Sequence, residues 1–161
     1  MKHRGVKGLT ILPLSLFLVM VIATAAFAQG GHFVGAPTCT DVGTQLQCSG
    51  KVAGLGGETF RIEVSAENAT ASVECENPAG NVAPGQSFGF DASGSTGDVP
   101  TTTNGQFRIR NLRTAQPTAP AGSCPNTKWT ATVTDVEFTG SATLTLFEDG
   151  TVSDTTSVSI S

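Results

Sequence analysis

The sequence predicts an all-β chain: an immunoglobulin-like antiparallel sandwich of about eight or nine strands. Three observations carry this. Apolar residues alternate with polar ones at period two in short runs, and clusters of Gly, Asn, Asp and Pro, drawn from 19 Gly and 8 Pro, punctuate those runs. No stretch after Gln29 combines the i, i+3, i+4 helical pattern with capping residues. With 161 residues, 39% hydrophobic and only 14% charged, the chain has the length and apolar surface of one folded domain.

Residues 1–28 read as a secretory signal peptide. Lys2, Arg4 and Lys7 precede the apolar run Leu9 to Ile22, and Ala26-Phe27-Ala28 supplies a small-x-small cleavage site. Pro13 and the small-residue end speak against a membrane anchor, and Gln29-Gly30-Gly31 interrupts the long helix that a pilin-type leader would continue. Residues 29–37 are expected to be a flexible extension, and 38–161 the sandwich. The expected location is therefore extracellular or periplasmic.

The first paired element is a hairpin. With Gly43-Thr44 as a two-residue turn, Val42 faces Gln45 and Cys39 falls opposite Cys48 on a non-hydrogen-bonded site, where Cα atoms approach to about 4.5 Å. The same register sets Asp41 beside Leu46, a discord. Next, Phe60, Ile62 and Val64, then Ala69, Ala71, Val73 and Cys75, predict a second hairpin turning at Ser65-Ala66-Glu67-Asn68.

Ser87 to Asp91 follows with Phe88 and Phe90 inward. Asp91 to Gly105 reads as loop, and Gln106 to Leu112 is a strand with Phe107 and Ile109 inward. Pro117, Pro120 and Pro125 keep Thr114 to Asn126 out of any central strand. In Lys128 to Phe138 the inward set passes from Trp129, Ala131 and Val133 to Val136 and Phe138, so a β-bulge is expected near Thr134-Asp135. Asp149-Gly150 is a strong turn signal between Ala142 to Phe147 and Val152 to Ile160.

The four cysteines suit structural disulfides in an oxidising compartment, and no Cys-x-x-Cys motif suggests a redox pair. Turn geometry favours Cys39 with Cys48, which leaves Cys75 for Cys124. Without Lys2, Arg4 and Lys7, six cations face 13 carboxylates, a net charge of −7. Such a chain is a poor partner for nucleic acid or, once processed, for an anionic membrane.

Catalytic signals are sparse. The single histidine after the leader, His32, sits among glycines near the expected new terminus, so a Ser-His-Asp or Cys-His arrangement has no well-placed base. The acid pairs Glu74 and Glu76, and Asp135 and Glu137, alternate onto the wet faces of strands, and Glu148 with Asp149 falls in a turn. Asp91, Ser93, Ser95 and Asp98 form an oxygen cluster with calcium-type donors, although it lacks the distal glutamate of an EF-hand. Arg108, Arg110 and Arg113 make the basic patch, suited to a sulfate, a polyanion or an acidic partner.

The segments Cys75-Glu76-Asn77-Pro78-Ala79-Gly80-Asn81, Pro84-Gly85-Gln86, Cys124-Pro125 and Trp129-Thr130 through Phe138 resemble small secreted bacterial β-sandwich proteins of unassigned function. The likeness spans roughly Val52 to Phe147. It supports joining Cys75 to Cys124 and implies no activity.

The expected function is thus an exported, non-enzymatic binding or structural module without a cofactor, whose partner is a protein or a cell-surface glycan. Two readings stay beside it: a carbohydrate-active or calcium-dependent sugar-binding protein, and a minor subunit of a surface fibre.

Overall fold

The computed structural model describes residues 30–161, so the leader-like segment lies outside it. Eleven strands follow in order: β1 (His32–Phe33), β2 (Thr38–Asp41), β3 (Leu46–Ala53), β4 (Thr59–Glu76), β5 (Val82–Pro84), β6 (Phe88–Ser95), β7 (Val99–Pro100), β8 (Gln106–Arg113), β9 (Thr130–Glu137), β10 (Ser141–Glu148) and β11 (Thr151–Ser159). No helix occurs among the described residues. The strands form two antiparallel sheets packed face to face, the all-β sandwich expected.

The small sheet centres on β3, with β1 and β2 on one edge and β8 on the other. Its first hairpin has the anticipated register. Cys39 opposes Cys48, and Gly43 adopts a φ of +93°, which suits glycine at this turn. The Asp41–Leu46 discord is real but harmless: Leu46 is buried, while exposed Asp41 accepts the Gly43 N–H at 2.9 Å.

Two expectations are corrected in the large sheet. The predicted hairpin over 60–76 is instead one continuous strand, β4. Its two apolar sets stay on the inner side because a bulge between Ala66 and Ala69, with Asn68 at a φ of +58°, absorbs the change of parity. The halves do not pair with each other. Residues 60–66 pair with β10 and residues 70–76 with β9, which continue one another along the same edge. On the other edge, β5, β6 and β7 follow in series. The loop expected over 91–105 is likewise partly strand: Asp91 to Ser95 completes β6, and Val99–Pro100 forms β7.

The bulge at Thr134 is present, since Val133 opposes Val73 and Asp135 opposes Ser72. The Asp149-Gly150 hairpin is also present, with φ values of +46° and +78°. Residues 30–37 are not an extension outside the sandwich. His32 and Phe33 pair with Ala53 and Val52, and Gly31 is buried.

Phe60, Ile62 and Val64 of β4 and Leu144 and Leu146 of β10 pack against Leu46, Val52 and Ile109 of the small sheet. Each such burial contributes about 1.5–3 kcal/mol. Phe60 and Phe107 meet across the layers with ring centroids 4.9 Å apart. Backbone contacts stitch both edges: Cys39 bridges Ile160, and Ala115 donates to the Ser93 carbonyl at 2.7 Å. At that second seam β6 passes so close to the backbone of Arg113 and Thr114 that only glycine fits at position 94.

Beyond the small sheet, the far half of β4 with β9 forms an arm. The Pro-rich segment covers its inner face, held by the Cys75–Cys124 disulfide and by the Gln86 N–H donating to the Ser123 carbonyl at 2.8 Å. Trp129, expected as core, is partly buried against that cluster. Cys39–Cys48 is the other disulfide, so both predicted bonds are present.

Candidate functional site

The outer face of the small sheet carries the most distinctive chemistry. Strand alternation turns Val52, Phe107 and Ile109 inward, so Lys51, Arg108 and Arg110 point out. Lys51 and Arg108 are direct cross-strand partners. Like charges in that relation repel, and neither is ion-paired among the described residues.

A bulge positions the next cations. Arg110 and Asn111 together oppose Ser49, and Asn111 takes a φ of +56°. This returns Leu112 to the core and keeps Arg113 outside, where its Nε and Nη2 donate to the Gln47 Oε1 at 3.0 and 2.7 Å. Lys51, Arg108 and Arg110 line a depression of about 430 Å³ together with Val34, Ser49, Gly50 and Ile109. Four of the six cations after the leader therefore lie on one sheet face of a chain whose net charge there is −7. Guanidinium forks at strand spacing can grip carboxylate or sulfate groups in bidentate fashion.

The structure thus keeps Arg108, Arg110 and Arg113 together, and it adds Lys51. No sequence signal joins residues 51 and 108, because their adjacency arises from β3–β8 pairing over a long separation.

The proposed calcium donors do not converge. Asp91, Ser93 and Ser95 extend along the outer face of β6, and four residues of strand span about 13 Å. Their oxygens already serve local contacts. Asp91 accepts the Asn68 N–H at 3.0 Å, Ser95 accepts the Gly97 N–H at 3.0 Å, and Asp98 pairs with Arg61 at 3.1 Å. Among the described residues, no group of three or more His, Cys, Asp or Glu side chains is arranged to hold a metal ion.

The acid pairs behave differently from one another. Glu74, Glu76, Asp135 and Glu137 are exposed on the outer face of the arm. Glu148 is instead a structural hub that sequence reading misses. Its carboxylate accepts from the N–H of Gly31 at 2.6 Å, of Gly56 at 2.8 Å and of Gly57 at 3.4 Å, and from the Ser153 hydroxyl at 2.7 Å. Burial acts to raise its pKa, but the bonds from Gly56, Ser153, Gly31 and Gly57 outweigh this and hold it below the ordinary carboxylate value. Asp149 beside it accepts the Thr59 N–H at 2.9 Å. The pair ties together the N-terminal strand, the 54–58 loop and the last hairpin. His32 is exposed, and its ring lies 3.4 Å from the Gly30 carbonyl.

No protein family, curated protein or solved structure matches the chain. The two disulfides point to an oxidising environment. No helix among the described residues is long and apolar enough to cross a membrane.

Proposed function

We propose that the protein is an exported, non-enzymatic contact module that holds a polyanionic partner against the outer face of its small sheet. The observation that carries this reading is the directly opposed pair Lys51 and Arg108, with Arg110 next along the same strand and no carboxylate bonded to any of the three. Such a pair costs stability when it stands alone and is relieved when an anion sits between its members. The leader-like residues 1–28 and the two disulfides support an exterior location.

Retention on a sulfated polymer matrix tests the reading. The unmodified protein should be held at low salt and released as salt rises, because exposed charges are screened within about 10 Å at ~0.1 M. Arg108→Ser with Arg110→Ser should elute markedly earlier, whereas Lys128→Ser, away from this face, should leave retention unchanged. Equal elution of the double variant and the parent would refute the assignment.

A further inference from the structure

We propose that the polyanionic partner is a second copy of this chain, bound head to tail through the outer face of its arm. The inference rests on the small-sheet face being a contact surface, and it names what that surface meets. On the arm, Glu74 and Glu76 of β4 and Asp135 and Glu137 of β9 all point outward, with Asp135 opposite Ser72 and Glu137 opposite Thr70. Glu67, also exposed, extends the acidic row toward the bulge. None of these five carboxylates is ion-paired among the described residues. The outer face of the arm therefore gathers carboxylates, each facing a Ser or Thr where β9 pairs with β4, while the small sheet gathers cations.

The two patches also share a geometry. Both are built on antiparallel strands, so charges on one face repeat about 6.8 Å apart along a strand. Arg108 and Arg110 are spaced along their strand as Glu74 and Glu76 are; across the ladder Lys51 faces Arg108 directly, whereas Asp135 faces Ser72 and stands diagonal to Glu74. The two faces lie on opposite outer sides of the sandwich, because the inner sides of β3, β8 and β4 all carry buried residues. A contact between the basic face of one copy and the acidic face of another therefore leaves a free face at each end. That arrangement is heterologous, and it grows as an open row unless its rotation happens to close.

Sedimentation of the purified protein tests this. At ~0.01 M salt, where charges are felt over ~30 Å, the mean mass should rise with protein concentration; at ~1 M salt, where the range falls to ~3 Å, the protein should be monomeric. Arg108→Glu with Arg110→Glu should remain monomeric at low salt, and so should Glu74→Arg with Glu137→Arg. Mixing the two variants should restore assemblies, since each then offers the charge the other has lost. The proposal is overturned if the unmodified protein stays monomeric at low salt, or if the mixture does not associate. Should the sulfated matrix still discriminate between parent and R108S/R110S in that event, the face binds polyanions and the partner is not a second copy. Should that discrimination fail as well, the contact-face reading falls with it.

Discussion

Replacing Glu148 by glutamine keeps the shape of the side chain and removes its charge. The carboxylate accepts three strong hydrogen bonds of 2.6 to 2.8 Å, from Gly31, Gly56 and Ser153, and a longer one from Gly57. A bond to a charged acceptor contributes about 1.5–3 kcal/mol, and Gly56 is exposed enough for water to replace the carboxylate there. Glutamine also turns an amide NH2 toward one set of donors, so one strong contact is lost outright and the others weaken. A net loss of about 2 kcal/mol follows. For a domain of this size that lowers Tm by roughly 6–10 °C.

The pH dependence adds a second check. The folded pKa of Glu148 is lowered, so its contribution is fully present above the unfolded value of about 4.3 and is lost as pH falls through the folded value. Thermal unfolding followed by circular dichroism should therefore show a wide gap between parent and Glu148→Gln at neutral pH. The gap should narrow below pH ~4 as the parent's carboxylate takes up its proton. Coincident melting at neutral pH, or a gap that persists undiminished in acid, would refute the hub.

Gly94→Ala should destabilise the protein by about 1–3 kcal/mol in a denaturant titration, because its Cβ would overlap the Arg113 carbonyl at the seam between the sheets. A midpoint equal to the parent's would mean that the seam yields freely. Paired Cys→Ala changes at Cys75 and Cys124, which close a separation of 49 residues, should cost about 4 kcal/mol by the chain-entropy relation. The same change at Cys39 and Cys48, separated by 9 residues, should cost about 2.7 kcal/mol, and the opposite ranking would count against that account.

Local chemistry made several features legible before any coordinates. The Gly43-Thr44 turn sets the Cys39–Cys48 register, the parity change in 129–138 marks the bulge at Thr134, and Asp149-Gly150 turns the last hairpin. In the 60–76 segment, a four-residue polar-leaning break between two alternating runs is equally compatible with a turn and with a bulge. Distant strands β9 and β10 decide between them. The Asp91 to Ser95 stretch followed the same logic, since small residues that resemble loop composition become strand when β4 supplies the partner. The three arginines of the site were visible, whereas Lys51 and the Glu148 hub depend on pairings across 57 and 117 residues and leave no local trace.

The 18-residue strand β4 pairs with β5, β6, β7, β9 and β10, and its last partners end at residue 148. During synthesis it emerges long before β9 and β10 exist, so one edge and one apolar face wait uncovered. Contacts of such sequence separation also close slowly. The interval is one in which two nascent chains could pair with each other through that edge. Glu63, Glu67, Glu74 and Glu76 are spaced along the same strand, and charges so placed disfavour pairing of one such strand with another. Neutralising them should lower the yield of refolding from denaturant more than it lowers the stability of protein already folded.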